Sequence, residues 1–285
     1  MSDFRFLQPE GLRAVLKAKE DEGAKGLILA GGTNLLSYIK KRRVKSGLLI
    51  DITRLDELKN IEEGAEGITL GASLTIQDLI ESEVVRRRLP SFFEALKLFG
   101  NPLIRAKATL GGNLADASPI ADTAPILLAM DASVQVASER GERTVELASF
   151  FKGVGETVLK PDEVLTAVTV PACGDSRVKM LKLGLRKGTA CSVTSAAVRI
   201  KLRDREIEDV RIALGGVAPT PVRAYTVEKA LLGKPCTGEE IENQAQLLRK
   251  DISPITDVRG SAEYRKEVSV NLLSRALLTA AGMEV

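Results

Sequence analysis

The sequence predicts an α+β protein built in two parts, and three observations carry that prediction. Over residues 1–55, short apolar runs of strand type alternate with helical patterns in βαβ-like order, as in an α/β unit. Residues 56–174 mix further strands with helices, which marks a second subdomain of α+β type. Beyond residue 175, two runs alternating at period two are followed by three helical patterns, as expected of a separate domain of antiparallel sheet plus helices. A chain of 285 residues is long enough for this division into 1–174 and 175–285.

Taken in order, "GLRAVLKAKE" at 11–20 has helical spacing at Leu12, Val15 and Leu16. "KGLILAGG" at 25–32 is a strand running into a turn, and "GLLIDITRL" at 47–55 is another strand. "GITLGASLTIQDLIES" at 67–82 reads as strand, turn and helix, with Thr75 as N-cap and Asp78 as a first-turn acid. A helix over "PSFFEALKLFG", an irregular glycine-bearing stretch and a short helix over "DTAPILLAMDA" follow. The strands "SVQVAS" and "RTVELAS" flank "ERGE", which suits a hairpin, and "DEVLTAVTVP" is a strand ending at Pro171. "SVTSAAVRIKL" and "EIEDVRIALGG" around "RDR" form an antiparallel hairpin. The closing helical patterns are "VRAYTVEKALLG", "GEEIENQAQLLRKDI" and "GSAEYRKEVSVNLLSRALLTAAG".

Composition narrows the chemistry. At 44% hydrophobic and 28% charged the chain reads as globular, and no apolar stretch approaches the roughly 18–20 residues of a membrane span. No basic region followed by an apolar run opens the sequence, so a cytoplasmic location is expected. The net charge is only +3, and its densest cluster, "KKRRVK" at 40–45, suits a solvated face better than a nucleic-acid footprint. Cys173, Cys191 and Cys236 form no CxxC pair, which speaks against zinc or iron–sulfur ligation in this chain. Histidine is absent altogether, so a Ser-His-Asp triad, a histidine-bound metal and an imidazole base are excluded. Redox or transfer chemistry here calls for a cofactor.

Two glycine pairs are the candidate cofactor site. In "AGGTN", Ala30 to Asn34, bare backbone after a strand lets N–H groups converge on an anion, with Thr33 and Asn34 as further donors. The helical "LLSYIK" behind it would add its positive end. A plain tight turn explains the same residues. The loop is neither a Walker A motif nor a GxGxxG fingerprint. In "TLGGNLADASPIAD", Thr109, Leu110, Gly111, Gly112 and Asn113 form a second nest-like arrangement, followed by Ser118 and Asp122. Two such loops would grip a diphosphate from both sides, with a dinucleotide as the ligand. Asp122 also suits the N-cap of the next helix.

"LILAGGTNLL" and "IRAKATLGGNLADASPIAD" together resemble the FAD-binding subunit of the molybdenum hydroxylases, the group of xanthine dehydrogenases, carbon monoxide dehydrogenases and related aldehyde and heteroaromatic oxidoreductases. The resemblance extends through "FFKGVGETVLKPDEVLTAVTVP", "GGVAPTPVRA" and "DVRGSAEYRKEVSVNLLSRAL", in order, over nearly the whole chain. It implies a two-part FAD-binding domain of the vanillyl-alcohol-oxidase/PCMH type followed by a smaller α+β domain. It implies that Ala30, Gly31, Gly32, Thr33 and Asn34 bind the FAD diphosphate, met from the other side by Thr109, Leu110, Gly111, Gly112 and Asn113. Asp122 would hydrogen-bond the flavin nucleotide, Phe99 and Leu165 would lie by the adenine, and Lys182 would approach the isoalloxazine. Read without the resemblance, Phe99 and Leu165 are plain core and Lys182 a solvent-facing strand residue.

The implied role is electron transfer through FAD, from 2Fe-2S clusters on a small partner chain to NAD+ or another acceptor. The molybdenum cofactor would sit on a large partner chain, in a dimer of heterotrimers. Two positions depart from the family pattern: Asn34 where aspartate is frequent, and Ala106 where asparagine commonly follows the arginine. "GGTNLL" also resembles the loop of the stand-alone reductase that makes UDP-N-acetylmuramate, although the second loop and the tail fit the molybdenum hydroxylases better. A flavin-free scaffold subunit is the non-enzymatic alternative, against which the intact glycine pairs and Asp122 speak.

Overall fold

In the computed structural model, which describes residues 3–186 and 188–284, the chain begins with β1 (Asp3–Leu7), α1 (Leu12–Glu22), β2 (Gly26–Leu29), α2 (Leu35–Lys40) and β3 (Ser46–Asp51). Both β1 and β2 pair with β3 in parallel, giving the order β1-β3-β2. Parallel neighbours need crossovers, which α1 and α2 supply. α1 buries Val15 and Ala18 against Ile50, Ile52, Leu55 and Leu58, while Leu12 and Leu16, which with Val15 mark the helix in the sequence, pack half-buried against the same cluster.

A five-stranded antiparallel sheet follows, built from β4 (Ile61–Glu63), β5 (Gly67–Gly71), β6 (Ser133–Ser138), β7 (Gly141–Glu146) and β10 (Val164–Pro171) in the order β4-β5-β10-β6-β7, with β8 (Phe151–Gly153) and β9 (Glu156–Thr157) as a side hairpin. Between β5 and β6 run six short helices: α3 (Ile76–Glu81), α4 (Glu83–Arg88), α5 (Pro90–Leu96), α6 (Pro102–Arg105), α7 (Leu110–Ala115) and α8 (Ala124–Ala129). α3 opens with a reciprocal capping box: Asp78 N–H donates to Thr75 Oγ1 at 3.0 Å, and Thr75 N–H to Asp78 Oδ2 at 2.8 Å. The stretch read from sequence as irregular and glycine-bearing is in fact α6 and α7. Asn101 caps α6 by accepting from Ile104 N–H at 2.9 Å, and Thr109 caps α7.

The last sheet is β11 (Arg177–Gly184), β12 (Ser192–Arg203), β13 (Glu206–Gly215) and β14 (Val222–Arg223), antiparallel throughout, followed by α9 (Tyr225–Leu231), α10 (Gly238–Ala245) and α11 (Ala262–Ala281). The β12–β13 turn is Asp204–Arg205, both at positive φ as a two-residue hairpin turn requires. The period-two pattern of β12 does not mark one wet face, since Ser192 to Ile200 are all buried. Ala196, Val198 and Ile200 join the core beneath α11, while Ala197 and Ala213 join the core of the preceding sheet and its helices. The alternation separates two cores, and the sheet thereby clamps the C-terminal elements onto α8.

Candidate functional site

β2 ends at Leu29 and delivers residues 30–34 to the interface between the parallel sheet and α7. Gly32 takes φ +68°, a left-handed conformation that glycine adopts without steric cost. Gly31 has a different reason to be bare: a Cβ there would stand 1.8 Å from the Lys107 carbonyl oxygen. Among the described residues, no hydrogen bond engages the backbone N–H of Gly31, Gly32, Thr33 or Asn34. Four adjacent unpaired donors on a close-packed loop are an arrangement that suits an anion. α2 behind it has only six residues and no side-chain cap, so the loop donors, rather than a long helix dipole, are what this end offers.

The second glycine pair works differently from the expected nest. Its N–H groups are spent inside the protein: Leu110 donates to Leu74 O at 2.9 Å, Gly111 to Ala72 O at 2.8 Å and Gly112 to Thr109 Oγ1 at 3.1 Å. Both glycines are helical, with neither at positive φ. Gly111 is bare because its Cβ would lie 2.6 Å from that of Ala72, so α7 can press its first turn onto the end of β5. Leu110 is core. Asn113 Oδ1 accepts from Thr123 N–H at 3.3 Å and from Thr123 Oγ1 at 2.6 Å, tying α7 to α8.

Between the two loops lies a cavity of about 380 Å³. Of the residues singled out from sequence, Ala30, Gly31, Gly32, Thr33, Asn34, Phe99, Thr109, Gly111, Gly112, Asn113 and Leu165 line it, while Leu110, Ser118, Asp122 and Lys182 do not. Phe99 and Leu165, with Ile28, Ile52, Ile104 and Val164, give it an apolar wall. Asp122 is not the N-cap of α8, a place taken by Thr123. Its carboxylate instead joins the last sheet to the helices: Lys182 Nζ donates to Oδ2 at 2.6 Å and Ser192 Oγ to Oδ1 at 2.7 Å. Lys182 Nζ also donates to Leu98 O at 2.9 Å, beside Phe99, and its side chain is only 7% exposed, so it is not a solvent-facing strand residue.

Three lining residues escape a reading of the sequence. Asp116, three residues beyond Asn113, accepts from Asn34 Nδ2 at 2.6 Å and from Tyr38 Oη at 3.1 Å. Tyr38 stands one helical turn after Asn34, a spacing that places both on one face. Burial first, then the charge and hydrogen bond of Asp116, push the Tyr38 phenol above its usual value. Glu163 closes the back of the cavity in a bidentate pair with Arg143, at 2.9 and 2.7 Å. The hydrogen bond from Arg143 holds the Glu163 carboxyl below the usual carboxylate range against the opposing effect of burial.

An unpaired backbone N–H loop opening onto an apolar cleft, between a small parallel sheet and an α+β subdomain, defines a cofactor-binding protein made for a ligand that joins an anionic centre to apolar rings. The profile described as "FAD binding domain in molybdopterin dehydrogenase" matches residues 2–173, and that described as "CO dehydrogenase flavoprotein C-terminal domain" matches 179–280. Similar proteins include the glyceraldehyde dehydrogenase medium chain of Sulfolobus acidocaldarius, 32% identical over 96% of this chain and 97% of that one. The carbon monoxide dehydrogenase medium chain of Hydrogenophaga pseudoflava is also 32% identical, over 96% of each chain. A solved structure of carbon monoxide dehydrogenase from that organism, in a form lacking the Mo-pyranopterin moiety of the molybdenum cofactor, superposes with a TM-score of 0.95 at 33% identity, covering 98% of each chain. The chain therefore belongs to the molybdenum hydroxylase family as an FAD-binding oxidoreductase subunit, with the two-part α+β architecture that the resemblance implies. The cavity fits that cofactor: the free donors at 31–34 suit a diphosphate, and the Phe99 and Leu165 wall suits an aromatic ring. Among the described residues, no helix is long and apolar enough to cross a membrane.

Proposed function

We propose that this chain is the flavin electron-transfer subunit of a molybdenum-dependent hydroxylase or dehydrogenase. In this reading, substrate is oxidised at a molybdenum cofactor on a large partner chain. Electrons then pass through 2Fe-2S clusters on a small partner chain to FAD on this one, and leave to NAD+ or another acceptor. The observation that carries the reading is the row of unpaired N–H groups from Gly31 to Asn34 at the mouth of an apolar cleft. FAD, when bound, supplies a centre that exchanges both one and two electrons, which a chain without histidine cannot provide from its own side chains.

The chain's own residues bind and orient. The backbone N–H groups of Gly31, Gly32, Thr33 and Asn34 would donate to diphosphate oxygens. Thr109, Gly111, Gly112 and Asn113 form the opposite wall, held there by hydrogen bonds within the protein. Phe99 and Leu165 exclude water beside the ring system. Leu110, Ser118, Asp122 and Lys182 complete the surroundings from behind the wall, with Lys182 fixed by Asp122 and Leu98 O as the cation available to the flavin. In domain terms the FAD-binding part is 1–174, itself divided at 55/56, and 175–285 is the C-terminal domain. The working form is a cytoplasmic dimer of heterotrimers.

The test has two parts. The purified chain, incubated with FAD and desalted, is expected to carry one flavin, seen in its visible absorption. Co-expressed with its partner chains, it is expected to co-purify with molybdenum and iron. A chain that stays colourless after incubation, or a complex free of both metals, refutes the reading.

A further inference from the structure

Two carboxylates line the cofactor cavity, and the protein treats them differently. Glu163 is neutralised by Arg143. Asp116 forms no salt bridge among the described residues, although it stands beside the loop that suits a diphosphate. A free carboxylate there would repel the ligand. Its two oxygens are instead taken up by neutral donors, Asn34 Nδ2 at 2.6 Å and Tyr38 Oη at 3.1 Å, both contributed by the opposite side of the cleft. The Asn34–Asp116 hydrogen bond spans 82 residues of sequence and joins the N–H loop to α7.

We propose that Asp116, with Asn34 and Tyr38, is a clasp that holds the two walls of the cavity together and sets how long FAD is retained. The proposal rests on the FAD reading above. Asp116 is a positioning residue: it orients the loop that carries the donors, and its two oxygens face Asn34 and Tyr38 while doing so. The clasp has a definite polarity, with an amide donating from position 34 and a carboxylate accepting at 116. One donor and one acceptor survive if the two side chains are exchanged, and the net charge is unchanged. Asn34→Asp alone faces two carboxylates at hydrogen-bond distance, and Asp116→Ala removes both bonds at once.

The experiment uses the full chain loaded with FAD, with release followed by the fluorescence of free flavin. Hydrogen bonds to a charged group contribute about 1.5–3 kcal/mol each, so N34D, which loses one, is expected to release FAD about 10- to 100-fold faster than wild type, and D116A, which loses two, about 100- to 10,000-fold faster. The double exchange N34D/D116N is expected to return the rate to within about threefold of wild type, and Y38F to lie between wild type and D116A. Asn34 is exposed and Asp116 half-buried, so the melting temperatures of the flavin-free variants are expected to fall by no more than a few degrees. Unchanged release in N34D and D116A, failure of the double exchange to recover, or release rising only in step with a fall in apo-protein melting temperature would each overturn the clasp. A wild-type chain that takes up no flavin would overturn the FAD reading and the clasp with it, whereas normal wild-type uptake with unaffected variants overturns the clasp alone.

Discussion

Gly31→Ala is the smallest change that tests whether the two walls of the cleft are built by direct backbone contact. The new Cβ would lie 1.8 Å from Lys107 O, 2.6 Å from Lys107 C and 3.0 Å from Ala108 Cα. All three are backbone atoms, so no side chain can rotate away. Restoring ordinary contact requires the two backbones to separate by about 1.6 Å. A movement of that size takes the Asn34–Asp116 bond from 2.6 Å beyond hydrogen-bond range and shifts the N–H donors relative to the apolar wall. Breaking two charge-assisted hydrogen bonds, at about 1.5–3 kcal/mol each, corresponds to roughly 100- to 10,000-fold weaker FAD binding. Neighbouring glycines calibrate the effect. Gly32→Ala strains a residue at φ +68° by about 1–2 kcal/mol, near tenfold, with the flexible Leu36 and Leu29 side chains in its way. Gly112→Ala meets Thr109 Oγ1 at 2.7 Å and is relieved by rotating that hydroxyl, at about 1 kcal/mol for the broken cap. Titrating the apo-protein with FAD is expected to rank the losses as G31A, then G32A, then G112A. Wild-type affinity in G31A, or a G32A weaker than G31A, would refute the argument.

Three further outcomes follow from the geometry. Lys182→Met leaves Asp122, 14% exposed, with Ser192 as its remaining side-chain partner, and Asp122→Asn leaves the Lys182 ammonium, 7% exposed, without a counter-ion; each is expected to cost about 3 kcal/mol in chemical denaturation, while the double variant K182M/D122N costs less because no isolated charge remains buried. The Glu163 carboxyl is held below its ordinary 4.5 in the folded chain, so the Arg143 pair stabilises fully above that value and its contribution is lost as pH falls through the folded one. Urea melts from about pH 6 down to pH 3 should show wild type losing its advantage over E163Q, and a constant difference would contradict the assignment. Thr75→Ala breaks the capping box of α3 and is expected to lower stability by about 1 kcal/mol in the same assay, with Thr75→Ser restoring most of it.

Much of the architecture is legible in the sequence because it follows from local patterns: the crossover helix at Leu12, Val15 and Leu16, the cap at Thr75, and the period-two runs of β12 and β13. The patterns mislead where the second partner is distant. Period two in β12 looks like one wet and one dry face, yet α11 covers one side and α8 the other, and neither is visible from within the strand. Asp122 has the local signature of an N-cap, but Lys182 and Ser192, 60 and 70 residues away, claim its carboxylate. Asp116 carries no local mark at all. It matters because a loop 82 residues earlier folds against it, and no periodicity encodes such a register.

The glycine pairs show the same division between what is written locally and what tertiary contact decides. A glycine in sequence announces that something approaches the backbone closely, without saying what. In both loops the approaching atoms are protein: Lys107 O at Gly31 and Ala72 at Gly111. The bare positions let the parallel sheet and α7 come together tightly enough to form one cleft. Their consequences for a ligand are opposite. At α7 every backbone N–H from Leu110 to Asn113 is consumed by the packing, so the backbone of that wall offers shape. At 31–34 the backbone N–H groups have no partners among the described residues, so this wall offers hydrogen bonds. An anion held here is therefore gripped from one side and confined from the other. Substitutions on the two walls should then differ in kind: those at 31–34 change how tightly a diphosphate is held at any ring structure, whereas those at α7 discriminate between ligands by size.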